Sequence, residues 1–590
     1  MAGDFLALVW PRGAAAELAA EVASHASALE ALGWRKTATT TTSALFLRGR
    51  PGLDVRLINR DLGVIIGEVF SRGEPVSEFI TGFDEAAFER LCHRLTSGHW
   101  GRYVALRWPT ASQGAAAFRD PSGALDCVTW SAAGIAVVAS IFPPGLPKAL
   151  QPRLELDWDR VAGLVADPSR VAGALAFKGI HAVWPGGIWY DGPAGARETQ
   201  VWAPSAFTAP TTLGEAQLSS ELRRRVDHSV AACLSPRDGT LIEVSGGLDS
   251  AIVATTAARR ADHGVKVWLN YRGSNRRSDE RDYAWAVAEA GGFALCEADK
   301  PLAALDLGVW KRLLGGLRPA LNASEPHRDR DVAARCEAAG VERVLTGQGG
   351  DMVFFQHPTA LVVADFIRSG ARPRAVLGAA HGVARWTGQS GWSVLRQAAS
   401  AARRRSRQVG TPPWAMVTEA CAHAAGPGDH PWLQGIDGIS PGKQLQLEAL
   451  VACQAFNGDS LTARSASVVH PLLSQPVVEF CLQIPTFELT RCRRDRALAR
   501  EVFADRLPPV IVERQGKGEF SSHYGRVVAA SLDELRPLLM DGELAKRGLL
   551  DRIRLEAALS PEQLILEGGY SGLVAAAVTE MWVSDWVSRL

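Results

Sequence analysis

Up to about Trp202 the apolar residues come in short alternating runs, among them Leu45-Phe-Leu, Val64-Ile-Ile-Gly-Glu-Val-Phe70, Tyr103-Val-Ala-Leu-Arg-Trp108 and Ile135-Ala-Val-Val-Ala139. Gly, Asp and Pro turns separate them, so this part is predicted to be mainly β. A helical stretch from Glu85 to Leu95 interrupts the strands, which favours two sheets with helices over a plain sandwich. Gly192-Pro-Ala-Gly195 and Ala203-Pro-Ser to Pro210-Thr-Thr then form a polar connection, followed by an amphipathic helix over 213–234. The expected division is therefore 1–205 and 206–590.

From Leu241 the pattern changes. Apolar strands alternate with Ala-rich helices: strand 241–244, helix 250–261, strand 265–270, helix 280–291, helix 331–338 and strand 341–345. Such alternation predicts a parallel, doubly wound sheet that binds ligand at the carboxyl ends of its strands. Between about Gln356 and Gly442 the chain is rich in Ala, Arg and Gly and carries the basic cluster Arg403-Arg-Arg-Ser-Arg407. That stretch reads as a solvated helix face or an insertion, with peptide docking as the other reading.

A length of 590 residues with 47% hydrophobic content allows more than one core. The formal net charge of +1 supplies no global field for nucleic acid or an anionic membrane. Phe5-Leu-Ala-Leu-Val-Trp10 follows the start without a basic segment, and no apolar run is long enough to span a bilayer; a cytoplasmic enzyme is expected. Nine scattered cysteines, never spaced CxxC, argue against a disulfide framework or a zinc site and read as small core residues.

The candidate chemistry lies where the first of these strands meets its helix. Ser245-Gly246-Gly247-Leu248-Asp249-Ser250 turns sharply, exposing backbone N–H groups beside a helix N-terminus, with two serine hydroxyls as further donors. A carboxylate in a phosphate cradle is repelled unless a divalent cation intervenes, so Asp249 implies Mg2+ bridging to phosphate oxygens. The turn reads as an ATP site. A second turn, Thr346-Gly347-Gln348-Gly349-Gly350-Asp351, closes the strand ending at Leu345 and is expected at the same sheet edge, with Asp351 as second metal ligand and Gly347 and Gln348 beside the nucleotide. Trp268, Leu269 and Asn270, ending the neighbouring strand, are expected to border adenine.

The six-residue turn lacks the Gly-Lys-Ser/Thr ending of a Walker A loop and resembles the PP-loop of ATP pyrophosphatases, which cleave ATP between the α and β phosphates. With His470-Pro-Leu-Leu-Ser-Gln475, Arg494-Asp-Arg, Phe503-Ala-Asp-Arg-Leu-Pro-Pro509 and Lys517-Gly518, most of the chain is similar to glutamine-hydrolysing asparagine synthetases. Trp100-Gly-Arg-Tyr-Val-Ala-Leu106 and Phe118-Arg-Asp-Pro-Ser-Gly123 look like strand motifs of that family's glutaminase domain. The resemblance implies an α/β protein with an N-terminal-nucleophile type αββα front and a PP-loop domain with a helical extension behind. It also implies a role for Lys517: a fixed ammonium stabilising charge on the α-phosphate and the tetrahedral centre.

Two departures refine this picture. Glutamine hydrolysis in that family needs Cys at position 2, exposed as the N-terminal residue; here it is Ala2, and the first cysteine is Cys92. The amine is then expected to arrive on the substrate, as in β-lactam synthetases and lasso-peptide cyclases. Gln348 stands where the relatives carry Glu or Tyr, and an amide has no basic site near neutral pH. A peptide α-amine, with a pKa of about 7.7–8.0, needs little help.

The terminal strings look most like proteobacterial lasso-peptide cyclases, which implies adenylation of an Asp or Glu side chain in a leader-free core peptide and closure by its α-amine. ATP and Mg2+ are the implied cofactors; a leader-binding protein and a leader peptidase are the implied partners, with neither nucleic acid nor membrane. A β-lactam synthetase-like or ammonia-dependent asparagine synthetase-like ligase, and a non-catalytic scaffold of a maturation complex, stay open. A tRNA-modifying PP-loop enzyme fits least, given the neutral charge and the lack of an RNA module.

Overall fold

The computed structural model describes residues 3–11, 15–49, 53–58, 62–72, 88–110, 113–192, 195–235, 238–273, 279–404, 414–426, 428–516, 521–566 and 568–590. The front half carries the strands β1 (Asp4–Val9), β2 (Arg35–Thr39), β3 (Ser43–Arg48), β4 (Val55–Ile58), β5 (Gly63–Ser71), β6 (His99–Arg107), β7 (Ala116–Arg119), β8 (Val128–Ala132) and β9 (Ile135–Ala139). The short pair β10 (Glu155–Leu156) and β11 (Phe177–Lys178) follows, then β12 (His181–Ala182), β13 (Gly187–Tyr190) and β14 (Arg197–Gln200).

They form two six-stranded antiparallel sheets, in the orders β12-β8-β9-β1-β3-β2 and β14-β13-β7-β6-β5-β4. Alternate residues of the two sheets meet: Phe5, Ala7, Val9, Leu45 and Leu47 pack on Val64, Ile66, Val104, Leu106 and Trp189. The outer faces are covered by helices. Val22, Ala26 and Leu29 of α1 (Ala15–Ala31) lie with Leu6, Leu8 and Phe46; Leu91, Cys92 and Leu95 of α2 (Phe88–Gly98) lie with Ile65, Tyr103 and Phe118. The layers read αββα, as expected. The helix predicted over 85–95 appears as α2, and residues 85–87 lie outside the described residues.

The second half opens with α3 (Glu215–Cys233) and builds one parallel sheet from β15 (Thr240–Glu243), β16 (Val265–Arg272), β17 (Cys296–Asp299), β18 (Arg343–Leu345) and β19 (Ser467–Val469), ordered β17-β16-β15-β18-β19. Its crossovers are α4 (Leu248–Ala258), α5 (Arg281–Gly291) and α6 (Pro326–Ala339), the last starting earlier than expected because Pro326 occupies its first turn, where a missing N–H costs nothing. After β18 come α7 (Gly350–Val353), α8 (Leu361–Arg368), α9 (Pro373–Thr387), α10 (Gly391–Arg403) and α11 (Pro441–Cys453), before the chain returns to the sheet edge as β19. Then follow α12 (Gln475–Gln483), α13 (Ala497–Val502), α14 (Ser521–Ala529) and α15 (Tyr570–Arg589).

The strand order reverses between β15 and β18, which makes the crevice between their carboxyl ends the expected ligand position in an open sheet of this kind. The two halves are joined by buried charge. Glu479 on α12 accepts from Arg72 Nη1 at 2.6 Å, Trp202 Nε1 at 2.8 Å and Gln475 Nε2 at 2.7 Å. Glu68 on β5 pairs with Arg102 and with Arg343 of β18. Trp582 and Trp586 of α15 reach back to stack edgewise on Phe177. No helix among the described residues is long and apolar enough to cross a membrane. Of the nine cysteines, Cys296 and Cys492 are half-buried and the other seven are buried.

Candidate active site

The first turn is pinned at its root. Val244 N donates to Leu269 O at 2.8 Å, and Asn270 Nδ2 donates to Val244 O at 2.6 Å, so the chain leaves β15 in a fixed direction. Gly246 then takes φ +74°, and a Cβ there would lie 2.9 Å from Tyr283 Cβ and 3.0 Å from Glu280 O; conformation and space both require glycine. Ser250 Oγ accepts from Ser245 N at 3.1 Å, sits 2.9 Å from Ser245 Oγ and donates to Gly247 O at 3.1 Å. The two hydroxyls, read from the sequence as donors for phosphate, thus also brace the turn that opens α4. The backbone N–H groups and helix N-terminus form the cradle that phosphate favours.

The second turn lies directly against the first. A Cβ on Gly347 would come within 2.4 Å of Ser250 N, and one on Gly350 within 2.7 Å of Asp249 Cγ, so two glycines let the backbones meet. Asp249 and Asp351 are brought to one place, at the ends of β15 and β18 where the crevice opens. Gln348 N donates to Thr346 Oγ1 at 3.1 Å, and that hydroxyl lies 2.8 Å from His470 Nδ1. Burial pushes the His470 imidazole down to about 4, so it is neutral near pH 7. The string around His470 therefore supports the second turn from beneath.

Trp268 and Leu269 turn to opposite faces of the sheet and are buried: Trp268 stacks on Phe293 at 3.9 Å and 12°, while Leu269 joins the core against Val332 and Val344. Asn270 is buried too, its amide serving the root of the first turn. What these residues offer a nucleotide at the strand end is main chain. Lys517 lies outside the described residues.

Two arginines bind the site together. Arg496, in the left-handed region at φ +49°, places Nη1 2.5 Å from Asp249 Oδ2 and Nη2 2.7 Å from Asp495 Oδ2, while its own N–H donates to Phe355 O at 3.2 Å. Burial raises the Asp495 carboxyl, but Arg496 and Arg500 outweigh it and hold the group below the usual range. Arg514 donates from Nη1 to Gly246 O at 2.9 Å, pairs with the buried Glu280 and lies 3.9 Å over the Tyr283 ring. Neither was foreseen as a site residue. Arg496 stands in the Arg494-Asp-Arg string, but nothing local says that its partner is Asp249, 247 residues earlier.

Beyond the two glycine turns, at the ends of β16 and β17, a cavity of about 520 Å3 opens between Tyr271, Lys300, Glu325, Arg328, Asp331 and Tyr524. Tyr271 Oη donates to Asp331 Oδ2 at 2.6 Å, and Lys300 Nζ lies 3.0 Å from Glu325 Oε2 and against the Tyr524 hydroxyl of α14. Arg328 reaches Glu243, two residues before Ser245, and so ties the cavity wall to the strand that carries the first turn. Burial raises the Glu325 carboxyl, but Lys300 and Arg328 outweigh it and keep the group below its usual range.

A family profile for asparagine synthase matches residues 221–584, which takes in both glycine turns, Arg496, Arg514 and the cavity. The chain belongs to the asparagine synthase family. It is accordingly an ATP-dependent amide-forming ligase. A search of curated proteins gives no significant match. The residues present fit the ATP that members of the asparagine synthase family use: a glycine cradle at a helix N-terminus takes phosphate oxygens, and two adjoining carboxylates suit a hard divalent ion such as Mg2+. Among the described residues no group of three or more His, Cys, Asp or Glu could hold a metal ion, so such an ion would complete its shell with phosphate and water.

Proposed function

We propose that this ligase is an AMP-forming macrolactam synthetase acting on a lasso-type core peptide, freed of its leader. One observation carries the reading. The two glycine turns lie against each other at the carboxyl ends of β15 and β18, while the αββα front has Ala2 where the resemblance asks for Cys and both its cysteines, Cys92 and Cys127, are buried. Cys92 is buried in α2, and burial pushes its thiol far above the ordinary value; Cys233 and Cys481, also buried, are pushed up to about 12. A chain that cannot free ammonia from glutamine must take its amine from elsewhere.

In the proposed sequence an Asp or Glu side-chain carboxylate of the peptide forms a bond to the α-phosphorus of ATP, and the bond to the bridging oxygen of the β-phosphate breaks. Pyrophosphate leaves onto the Ser245–Ser250 turn. The peptide α-amine then attacks the acyl carbon, the bond to AMP breaks, and the ammonium proton passes to solvent. Mg2+ held by Asp249 and Asp351 would offset the phosphate charge. Asp249 is oriented by Arg496, and the cradle is kept open by Arg514 on Gly246 O. Lys517 is assigned the adenylate. Gln348 offers no base, which suits an amine already partly neutral near pH 7. The mixed-charge cavity, bounded by Lys300, Glu325, Arg328 and Asp331, supports a substrate carrying both an amine and a carboxylate. A leader-binding protein and a leader peptidase are the proposed partners.

The test is incubation of the protein with ATP, Mg2+ and synthetic core peptide. Mass spectrometry should show a product lighter by one water, with AMP and pyrophosphate in equal amounts. Formation of ADP, release of ammonia from glutamine, or adenylation of free aspartate without response to peptide would overturn the proposal.

A further inference from the structure

Residues 369–404 contain Arg372, Arg374, Arg385, Arg396, Arg403 and Arg404 and no Asp or Glu, in a chain whose 64 basic and 63 acidic residues otherwise balance. All six side chains are exposed, on α9, α10 and their flanks, and none forms an ion pair with a described residue. Their spacing is helical: Arg374, Leu377, His381 and Arg385 mark one exposed stripe of α9, and Trp392, Arg396, Ser400 and Arg403 another on α10. Each stripe includes a large apolar side chain left in solvent, Leu377 at 55% exposure and Trp392 at 82%. Beside α10, a groove of about 500 Å3 runs between that helix and the start of α11. Leu361, Ala401 and Pro441 contribute its apolar surface, and Arg396 and Arg404 its charge.

We propose that this groove docks an acidic segment of another polypeptide, in which one bulky apolar side chain is flanked by carboxylates. Guanidinium forks match carboxylates bidentately, and six of them without counter-charges form a local field on a nearly neutral molecule. The apolar surface asks for one hydrophobic anchor, and Trp392, one helical turn before Arg396, extends the apolar contact along the same face. Two other anionic partners fit less well. Single-stranded nucleic acid is held by stacking on successive aromatic rings, and among the described residues none lines this groove, Trp392 standing beside it alone. An anionic bilayer is met by a continuous apolar helix face rimmed with cations, whereas here the apolar surface is recessed between two helices. The surface lies outside the ligase site, so its occupation does not depend on the chemistry proposed above.

The experiment uses the full chain and a short fluorescein-labelled peptide with one phenylalanine set among glutamates, read by fluorescence anisotropy. Binding should saturate, weaken with salt and fall at least about tenfold when the phenylalanine is replaced by serine, a step that removes the anchor and leaves the charge. The double variant Arg396→Glu, Arg404→Glu should lose the peptide while its circular dichroism and melting temperature match the parent. Oligothymidylate and vesicles containing phosphatidylserine serve as competitors. Equal binding by the charge-reversed protein, indifference to the phenylalanine, or tighter capture of oligothymidylate or vesicles would each overturn the proposal.

Discussion

Arg496 holds the Asp249 carboxylate. A guanidinium 2.5 Å from the carboxylate neutralises a group that Mg2+ would otherwise seek, and the left-handed backbone at Arg496 is the local cost of that aim. Arg496→Gln is therefore expected to bind Mn2+ without nucleotide, seen as loss of the free-ion signal in electron paramagnetic resonance, where the parent needs an ATP analogue. The same variant should slow pyrophosphate release by about ten- to a hundredfold, the scale of one lost charge-assisted contact at a reacting centre. A variant that releases pyrophosphate at the parent rate would show that Arg496 does not position Asp249. This residue also marks where reading the sequence stops. The glycines were legible because local backbone geometry demands them, and Asp249 and Asp351 because a carboxylate in such a turn asks for a cation, whereas an ion pair across 247 residues leaves no local trace.

Elements were legible in proportion to their apolar contrast. β15 stands out as a buried run, β16 is buried over Trp268, Leu269 and Asn270, and α4 follows a glycine turn. β17 buries Ala298 alone and exposes Glu297 and Asp299, and β19 is three residues long after a long helical excursion, so neither announces itself. α11 hides a further feature that pattern reading passes over. Lys443 is buried there, its Nζ bonded to Gln446 Oε1 at 2.7 Å and Cys481 O at 2.9 Å, and burial pushes the ammonium down to about 7. Below that value the lysine is charged both folded and unfolded. Above it the folded state sheds the proton first, so stability contributed at this position rises between pH 7 and the ordinary lysine range, by up to about 1.4 kcal/mol per pH unit. Denaturant unfolding of the parent and of Lys443→Met at pH 7, 8 and 9 should show the parent gaining on the variant as pH rises. Parallel curves would remove the buried charge from the account.

Across the whole molecule the acid limb of stability has a traceable source. His430 and His470 are buried, and desolvation holds them at about 3 and about 4. As pH falls below 6.5 the unfolded chain takes up protons that these folded positions refuse, so native stability drops through that window, by on the order of 3 kcal/mol for His470 alone. Melting curves between pH 7 and 4.5 should show a steep decline, shallower in His430→Gln, where one refusing site is gone. An unchanged slope would assign the decline to carboxylates. The αββα front was legible as a class, but its union with the rear half was not, because Glu479, Arg72 and Trp202 meet only in three dimensions.

That union reaches its furthest point in α15, whose tryptophans pack on Phe177 of the β10–β11 pair and, at Trp586, on Phe142. During synthesis the apolar side of that short pair must wait, partly bare, until the chain has been made past residue 586. The front half cannot be pruned away without stripping that helix of its seat and leaving both pieces sticky.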